Sequence, residues 1–599
     1  MKSVYRALLI CCLVAFSCGR ETTRQLNVVL IGVDTLRPDH LGCYGYGRDT
    51  SPNIDRLARS GVLCENPVSQ CPWTLPSFAS VMTSLYPTQH GAGIHMNSMR
   101  TSFPTLAGML NERGYATGAV VNVSVLSTEF GVDRGFEHYD ASAPGVRRVA
   151  DQVTEDALAW IDSVDDRPFF VFVHYFDPHL SYSPAAPYDT LYDPGYDGEI
   201  GNSFERETYL RMRPALFGEE NEQTRADWNH IRALYDGEIA FTDEAIGDLL
   251  AGLEERGISS NTLVVLLSDH GEEFFEHRGY GHGHTLYREV IDVPLIFSLP
   301  ARLPAGVRLS RQVRLVDIMP TVLDLLGFDG DTHFEGVSLA PMLTGKGNSD
   351  RVEAAIFPVG VAYSEELQRG GERKGVTAYP WKLVYDVSDG EERLYNLQQD
   401  PGETENLVRH DPDVLPMLEE MLFRGLLAMS DTWYIEMEGD GTTRIFDLEV
   451  TVEKGPGIGK IHLHTFLDCD RRIIDVGDAV HINPVASVLE VKGLEVAGLL
   501  TLAFKVEAPM GMPISFDLKI DGMPAAGKTF IGKSLKTPDG MPFSTKASRA
   551  AAESGSGPTP RPEGPYFLIW REEARYRGAT RAELGEETKR ELRALGYIQ

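Results

Sequence analysis

The chain has 599 residues, of which 42% are hydrophobic and 24% are charged, which indicates a globular protein long enough for two or more domains. Aspartate and glutamate outnumber lysine and arginine by 87 to 56, giving a formal net charge of -31. A surface this acidic repels the phosphate backbone, so the composition predicts a protein that does not bind nucleic acid. Acidity that serves solubility alone is the alternative explanation.

The N-terminus has the pattern of a secretory leader. Lys2 and Arg6 precede an apolar run over residues 7–16, and a small residue and Cys18 follow. The run is too short to span a bilayer, which favours a signal peptide over residues 1–17. A small residue followed by cysteine is similar to a bacterial lipoprotein signal. We therefore expect an exported bacterial protein that is either anchored to the membrane by a lipid on Cys18, in the periplasm or at the cell surface, or secreted.

Three apolar runs rich in β-branched residues predict buried strands, at residues 27–34, 168–174 and 262–269. They are apolar on both faces, as parallel strands are when helices cover each side of the sheet. Helical patterns occur between them, over residues 51–60, 103–113, 149–164 and 228–256. The alternation predicts an α/β fold around a mixed, mostly parallel sheet. Asp34 and Asp269 end two of the strands, where such sheets bind ligands.

Two helix starts follow from local chemistry. Ser51 followed by Pro52 is typical of an N-cap with proline in the first turn. Leu75 and Pro76 predict the end of a loop and a helix that begins at Ser77. The N-terminus of that second helix would direct backbone N–H groups at an anion.

Residues 74–78, Thr-Leu-Pro-Ser-Phe, open the most informative segment of the chain, which continues to a Leu-Tyr-Pro turn at 85–87. The segment resembles the nucleophile segment of the sulfatase family in the alkaline phosphatase superfamily, whose signature is Cys/Ser-x-Pro-Ser-Arg. The match places Thr74 at the nucleophile position and Phe78 at that of the arginine. A sulfatase cysteine or serine is oxidised to formylglycine, and threonine lacks the primary carbon that this modification needs. The resemblance therefore implies a sulfatase fold with an unmodified hydroxyl nucleophile, which a metal or a base must activate.

The resemblance also implies a site for one divalent metal. Sulfatases have two adjacent acids after the first strand, whereas this chain has Asp34 followed by Thr35. The segment Ser-Asp-His-Gly matches two further metal ligands, with His270 where sulfatases prefer asparagine. Zinc or manganese is favoured over magnesium or calcium, because a carboxylate is missing and an imidazole is present. The implied ligands are Asp34, Thr74, Asp269 and His270, and the candidates for a possible second metal are Asp177, His179 and His284.

Histidines and one lysine resemble the substrate-binding residues of the family. An Asp-Pro-His segment ends at His179, which the resemblance implies as a substrate ligand, with His174 as the alternative. His282 or His284 matches the residue that contacts the leaving group or the transferred oxyanion; we favour His282, and His284 remains a candidate for binding substrate. Histidine can donate a proton to a leaving group near neutral pH. Lys382 matches a basic residue that reaches the anion, although a surface lysine would look the same.

The resemblance covers residues 27–407 and implies an alkaline-phosphatase-like sandwich with a small α+β subdomain. Strands are predicted at 379–385 and 392–397, and a helix over 413–429 closes that subdomain. Glycine-punctuated alternating segments then predict an all-β accessory domain. The expected divisions are a signal at 1–17, a catalytic domain at 26–345, the subdomain at 346–430, the β-rich domain at 431–543, and a linker with a helical tail at 544–599.

Cys64 and Cys71 are close enough in sequence to form a disulfide, which export would permit. Buried free thiols are the alternative. The pattern as a whole predicts a hydrolase of sulfate or phosphate monoesters or diesters in a glycan, a lipid or a small molecule. A phosphoglycerol or phosphoethanolamine type of transferase and a non-catalytic glycan-binding relative are the competing hypotheses. A requirement for an acceptor would identify the transferase, and loss of metal binding would identify the binding protein.

Overall fold

The computed structural model describes residues 25–410, with gaps at 94–95, 102, 143–147, 329–333, 346–359, 367–372 and 387–390. It also describes residues 414–419, 421–422 and 584–594, together with the strands between 432 and 572 that are named below and the turn at 521–522. The predicted leader with Cys18 and the Ser/Gly/Pro-rich part of the predicted linker lie outside the described residues.

A mixed sheet of eight strands forms the centre of the molecule, in the order β10-β2-β9-β6-β1-β5-β3-β4. β9 is antiparallel to both of its neighbours, and the other pairs are parallel. β7 and β8 form a separate hairpin. The mostly parallel sheet predicted from the sequence is therefore confirmed. The strands are β1 Asn27–Val33, β2 Val62–Val68, β3 Ala116–Val121, β4 His138–Ala141, β5 Phe169–Tyr175, β6 Thr262–Ser268, β7 Glu273–Phe274, β8 Tyr280–Gly281, β9 Leu295–Ser298 and β10 Val307–Arg314.

Helices cover both faces of this sheet. They are α1 Pro52–Ser60, α2 Thr74–Thr83, α3 Pro87–His90, α4 Leu106–Asn111, α5 Ala150–Ser163, α6 Arg206–Leu216, α7 Glu222–Glu255, α8 Arg288–Ile291, α9 Ile318–Leu325, α10 Ala340–Leu343 and, far along the chain, α11 Glu586–Ala594. None of the helices in the described part of the chain is both long enough and apolar enough to cross a membrane.

The alternation of side chains along β1 shows why the sheet is buried on both sides. Val28 and Leu30 pack with α2, α4 and α9 on one face. Val29, Ile31 and Val33 pack with α1, α5 and α7 on the other face. Complete burial of such a side chain contributes about 1.5–3 kcal/mol, so the two cores hold the ends of the central strands in place.

Two helix starts differ from the prediction. The Ser51 side chain does not cap α1; instead, Asp243 of α7 accepts hydrogen bonds from the backbone N–H groups of Asn53 (2.9 Å) and Ile54 (2.8 Å). A carboxylate from a distant helix thus replaces the local hydroxyl. The second helix, α2, begins at Thr74 and not at Ser77. Proline is compatible with this start, because N–H groups in the first turn have no partner within the helix.

The small subdomain contains an antiparallel sheet in the order β11-β12-β13-β14, made of Ala362–Glu366, Arg373–Ala378, Trp381–Asp386 and Glu392–Asn396. The predicted pairing of the last two strands is confirmed. Of the helix predicted over 413–429, residues 415–419 and 421–422 are helical, and residues 413, 420 and 423–429 lie outside the described residues.

The later part of the chain forms two further sheets, in the orders β18-β17-β21-β15-β25-β24 and β19-β20-β16-β22-β23. All of their pairs are antiparallel except β24 with β25. The predicted all-β character is confirmed. The strands are β15 Thr432–Glu438, β16 Arg444–Val452, β17 Lys460–Leu467, β18 Ile473–Ile474, β19 Val480–Asn483, β20 Val488–Val496, β21 Leu499–Glu507, β22 Ile514–Ile520, β23 Met523–Pro524, β24 Thr529–Ile531 and β25 Tyr566–Glu572.

The segment predicted as linker and tail contributes to both halves of the molecule. β25 pairs with β15, so the accessory sheets extend beyond the expected limit at residue 543. The predicted tail helix is present as α11, and its Leu592 is fully buried in the core that includes α2. The backbone N–H of Gly585 donates to Glu129 Oε1 (2.7 Å). The end of the chain is therefore attached to the catalytic unit.

Cys64 and Cys71 are both buried, and each is a thiol rather than half of a disulfide. Of the two alternatives left open by the sequence, the structure has the buried thiols. Burial raises the pKa of Cys64 far above its ordinary value, so this thiol is neutral at physiological pH.

Candidate active site

The ends of β1 and β6 bring together three of the residues predicted as metal ligands. The two strands are parallel neighbours with Val33 opposite Ser268, so the residues that follow them emerge side by side. Asp34, Asp269 and His270 are all fully buried there. His270 Nε2 lies 3.3 Å from Asp269 Oδ2 and 3.6 Å from Asp34 Oδ1. We call these three residues the Asp34 cluster.

The polar atoms of the Asp34 cluster fit a divalent cation. Among the described residues, the buried Asp34 Oδ1 and Asp269 Oδ2 have no hydrogen-bond donor. The Nδ1 atom of His270 lies 2.9 Å from the carbonyl oxygen of Gly271, to which it donates, so Nε2 presents a lone pair. Burial, and then the charge of Asp269, raise the pKa of Asp34 well above its usual range. A cation bound between these atoms would satisfy both carboxylates and offset their repulsion.

Thr74 joins the Asp34 cluster as the first residue of α2. Its Oγ1 lies 3.4 Å from Asp34 Oδ2 and 3.2 Å from His270 Nε2, and the side chain is fully buried. Ser77, one turn further along, donates its hydroxyl to the carbonyl oxygen of Asp269 (2.7 Å). All four predicted ligands thus meet in one place, with the nucleophile candidate at the N-terminus of a helix, where an anion is stabilised.

Phe78 occupies the position of the signature arginine and has an apolar environment. Its ring centroid lies 5.1 Å from that of Phe172 and 5.2 Å from that of His174. Gly32 gives it room, because a Cβ atom at residue 32 would lie 2.7 Å from the Phe78 ring. This position therefore supplies no positive charge to the site.

His174 lies beside Asp34, on the neighbouring strand β5. Its Nε2 is 3.5 Å from Asp34 Oδ2, and its Nδ1 accepts a 3.4 Å hydrogen bond from the backbone N–H of Asn122. Burial lowers the pKa of His174 to about 4, which keeps the ring neutral at pH 7. The sequence left His174 as the weaker alternative to His179, and the structure places both histidines in the site.

His179 and His282 form one wall of the site together with His270. The ring centroid of His282 lies 4.4 Å from that of His270 and 4.9 Å from that of His179. His179 also stacks on Phe176 at 4.4 Å, and its Nδ1 lies 2.6 Å from the carbonyl oxygen of Leu180. Burial, followed by the charge of His282, lowers the pKa of His179 well below its ordinary value.

Glu272 belongs to the site and was missed by the sequence analysis. Its carboxylate is fully buried, with Oε1 2.7 Å from His282 Nδ1 and Oε2 accepting the Tyr182 hydroxyl at 3.1 Å. Burial raises the pKa of this carboxyl, and the nearby histidines oppose that shift. Recognition of the β7–β8 hairpin would have revealed Glu272. Residue 273 pairs with residue 281, so residues 272 and 282 are the next pair of opposed positions.

Two predicted substrate ligands have other partners in the structure. His284 Nε2 lies 3.0 Å from Glu273 Oε2, so His282 is the member of the pair that faces His270. Lys382 is 1% exposed, and its Nζ forms a 2.7 Å ion pair with the buried Glu403. A buried carboxylate thus balances the charge of Lys382, and contact of this lysine with the substrate anion stays a prediction.

A second group of two carboxylates and one imidazole lies nearby, and we call Glu273, His277 and Glu289 the His277 cluster. His277 Nδ1 is 2.6 Å from Glu289 Oε1, and Nε2 is 3.0 Å from the carbonyl oxygen of Gly402. Glu273 Oε1 accepts the backbone N–H groups of residues 277 (3.0 Å) and 279 (2.6 Å). Burial lowers the pKa of His277, but its bond to Glu289 and the surrounding acids outweigh this and raise it to about 8. The candidates for a second metal, Asp177, His179 and His284, belong to neither cluster.

Comparison with known proteins agrees with this arrangement. The family model described as Sulfatase matches residues 26–328, and a second, described as N-sulphoglucosamine sulphohydrolase, C-terminal, matches residues 275–427. The first match covers more than half of the chain and includes the whole Asp34 cluster. The chain belongs to the sulfatase family. It is therefore a sulfatase-like ester hydrolase, and its family generally uses a divalent metal.

This sulfatase resembles proteins of two chemical kinds. A Delta 4,5-hexuronate-2-O-sulfatase of Bacteroides thetaiotaomicron is 24% identical over 74% of this chain and 98% of its own length. The multifunctional alkaline phosphatase superfamily protein PehA of Trinickia caryophylli is 28% identical over 55% of this chain and 79% of its own.

The solved structures show the same fold. A protein crystallised with its substrate D-glucosamine-2-N,6-O-disulfate has a TM-score of 0.57 at 20% identity, covering 67% of this sulfatase and 98% of that chain. A phosphonate monoester hydrolase of Agrobacterium radiobacter has a TM-score of 0.55 at 22% identity, covering 67% and 95%. These likenesses confirm the alkaline-phosphatase-like sandwich expected from the sequence.

Proposed function

We propose that this sulfatase cleaves sulfate or phosphate esters through a covalent ester on Thr74, with one divalent cation held by the Asp34 cluster and Thr74. The observation that carries the proposal is the position of Thr74 Oγ1, 3.4 Å from Asp34 Oδ2 and 3.2 Å from His270 Nε2. Zinc or manganese suits a ligand set that includes an imidazole better than calcium does.

The residues divide the reaction between them. A bound cation lowers the pKa of the Thr74 hydroxyl and neutralises part of the charge on the substrate anion. Thr74 Oγ1 forms a bond to sulfur or phosphorus and gives up its hydrogen toward Asp34 Oδ2. The bond from that atom to the ester oxygen breaks, and His282 donates a proton to the departing oxygen. His179, beside His282, contacts the bound substrate.

Water then attacks the sulfur or phosphorus of the Thr74 ester, and the bond from that atom to Oγ1 breaks. Asp34 returns its hydrogen to Oγ1, which regenerates the free hydroxyl. His282, neutral after the first step, accepts the proton that the attacking water loses. The anion leaves as inorganic sulfate or as the phosphate product, so each residue returns to its starting state. The helix N-terminus at Thr74 stabilises the negative charge that develops in both steps.

The substrate class follows from the relatives and from the nucleophile. A sulfated glycan is supported by relatives named as a hexuronate sulfatase and by the neighbour solved with a disulfated glucosamine. A phosphodiester or phosphonate ester is supported by the unmodified hydroxyl of Thr74 and by the likeness to phosphonate monoester hydrolases. The two classes share a tetrahedral anion and an oxygen leaving group, so both belong in the first assay.

The test is metal content together with turnover of an aryl sulfate and an aryl phosphodiester, for wild type, Thr74→Ala and Thr74→Ser. We expect one zinc or manganese per chain, turnover of at least one ester, none by Thr74→Ala and partial activity of Thr74→Ser. Thr74→Ala with wild-type turnover would contradict the nucleophile, and wild type without metal or turnover would favour a binding protein.

We further propose that the protein is exported and attached to a membrane through a lipid on Cys18. Support comes from the short apolar run that ends at a small residue and this cysteine. Membrane fractions from cells that express the full chain should contain the protein. Cys18→Ser should move it out of that fraction, and an unchanged distribution would contradict the anchor.

A further inference from the structure

Glu272 is a buried carboxylate whose position in the site calls for an explanation. It is fully buried, and it contacts His282 rather than the Asp34 cluster. Burial of a carboxylate costs free energy unless the group is hydrogen-bonded, so each oxygen of Glu272 needs a hydrogen-bond partner. His282 and Tyr182 are those partners.

The backbone around Glu272 is fixed as firmly as its side chain. Arg37 Nη1 donates to the carbonyl oxygen of Glu272 (2.8 Å), and Arg37 is also bound by Asp39. On the other side, the β7–β8 hairpin sets the register that places residue 282 opposite residue 272. The main-chain positions of residues 272 and 282 on either side of the hairpin are therefore fixed relative to each other.

The three imidazoles of the wall differ in what their Nδ1 atoms contact. Nδ1 of His270 and Nδ1 of His179 each face a backbone carbonyl. Nδ1 of His282 instead faces the Glu272 carboxylate at 2.7 Å. Because an ionised carboxylate only accepts hydrogen bonds, Nδ1 of His282 carries a hydrogen whether the ring is neutral or positive. Proton exchange with the substrate is thereby directed to Nε2.

We propose that Glu272, held by Tyr182, is the positioning residue that orients His282 and keeps Nε2 as its reactive nitrogen. The inference deepens the proposed function and rests on it. In the first step the Nε2–H bond of His282 breaks as the O–H bond of the leaving alcohol forms. In the second step Nε2 takes a proton from the water that attacks the Thr74 ester. The hydrogen on Nδ1 stays on the ring throughout, so protons balance over one turnover.

The kinetic test compares two aryl esters of the anion that wild type turns over. A 4-nitrophenyl leaving group departs with little help, whereas a phenyl leaving group needs a proton. In Glu272→Gln, we expect turnover of the phenyl ester to fall about 100-fold and that of the 4-nitrophenyl ester by less than about 10-fold. Tyr182→Phe should show the same preference with a smaller loss. Equal losses on the two esters would indicate a merely structural role and overturn the inference.

Two matched variants sharpen the result. Glu273→Gln changes the adjacent carboxylate, which contacts His284, and should alter both esters by the same factor. The double variant Glu272→Gln/His282→Ala should be no slower than His282→Ala alone, because a positioning residue has nothing left to position. A loss of turnover in the double variant equal to the product of the two single-variant losses would contradict the proposal.

A second measurement does not depend on turnover. Long-range NMR correlations of histidine labelled with ¹⁵N report which ring nitrogen holds the hydrogen, with His282 assigned by its loss in His282→Ala. We expect a hydrogen on Nδ1 in wild type at every pH, joined by a second hydrogen on Nε2 when the ring is protonated. In Glu272→Gln, the Tyr182 hydroxyl donates to the amide oxygen of the new side chain, so its amide nitrogen faces His282. That nitrogen donates to Nδ1 of His282, and the hydrogen of the neutral ring therefore moves to Nε2.

The outcomes of the two experiments are distinguishable. A neutral His282 ring in wild type with its single hydrogen on Nε2 would overturn the inference whatever the enzyme turns over. A wild-type protein that hydrolyses neither ester, but whose His282 has the expected form, would overturn the proposed function and leave the contact with Glu272 established.

Discussion

The Asp34 cluster and the His277 cluster have the same composition, two carboxylates and one imidazole, yet their surroundings differ. In the Asp34 cluster, two buried carboxylate oxygens have no donor among the described residues. In the His277 cluster, the imidazole lies between Glu289 and a backbone carbonyl, and Glu273 accepts backbone N–H groups. The residue types of a cluster therefore do not define a metal site, whereas buried carboxylate oxygens without hydrogen-bond donors at strand ends indicate one.

The largest effect is expected from removing one ligand of the Asp34 cluster. Asp269→Asn should reduce turnover to background and lower cation affinity by more than about 100-fold, because even outer partners of ligands contribute about 10–100-fold. Glu289→Gln, the matched change in the His277 cluster, should bind metal as wild type does. Competition with a chelating dye measures both affinities. Equal losses of cation affinity in Asp269→Asn and Glu289→Gln would contradict the assignment of the metal to the Asp34 cluster.

Next in size is the buried ion pair beside the His277 cluster. Lys382→Met leaves the Glu403 carboxylate unpaired, and loss of one partner of a buried pair costs about 3–5 kcal/mol. Urea unfolding should show that destabilisation, and Glu403→Gln in the same chain should recover part of it. If Lys382 contacted the substrate instead, KM would rise while the free energy of unfolding stayed near its wild-type value.

Metal removal should affect stability through the Asp34 cluster alone. Cation at 100 times its dissociation constant stabilises the folded state by about 2.7 kcal/mol, so chelation should lower the Tm of a chain this long by about 2 °C. Asp269→Asn should show no such shift, and Glu289→Gln should show the full shift. A scan of thermal unfolding with and without chelator checks this, and a normal shift in Asp269→Asn would place the cation elsewhere.

The smallest effect is a pH dependence specific to the His277 cluster. Because Glu289 raises the pKa of His277 to about 8, the pair contributes fully below pH 6.5 and its contribution is lost as pH rises through 8. After allowance for solvent screening, about 1 kcal/mol is expected. Tm should fall less between pH 6.5 and 9 in Glu289→Gln than in wild type. An equal change of Tm with pH in wild type and Glu289→Gln would contradict the pairing of His277 with Glu289.

The sequence predicted the features that depend on local pattern. Apolar runs predicted the parallel strands, and the acids that end β1 and β6 meet because parallel strands expose their ends at one edge. The resemblance of residues 74–78 to the sulfatase signature, in which Pro76 and Ser77 match its Pro-Ser pair, identified Thr74 as the residue that joins them. In each case the information lies within a few consecutive residues, which is why it could be found without coordinates.

The features that the sequence did not predict depend on distant contacts. The cap of α1 comes from Asp243, far along the chain, and not from Ser51. The sequence favoured His282 over His284, but the physical reason for that choice lies in the hairpin, where Gly281 and Gly283 have positive φ angles of 88° and 75°. These turns direct neighbouring histidines to different carboxylates. The buried partner of Lys382 likewise lies in another segment, so the residue looked like a surface lysine.

The most direct test of the central claim is to isolate the Thr74 ester. Enzyme mixed with a 4-nitrophenyl ester is quenched in acid during the first turnovers and digested, and the peptide that contains Thr74 is analysed by mass spectrometry. We expect one sulfuryl or phosphoryl group on Thr74, present only with substrate and absent from Thr74→Ala. Turnover with Thr74 unmodified, or with the group on another residue, would contradict it.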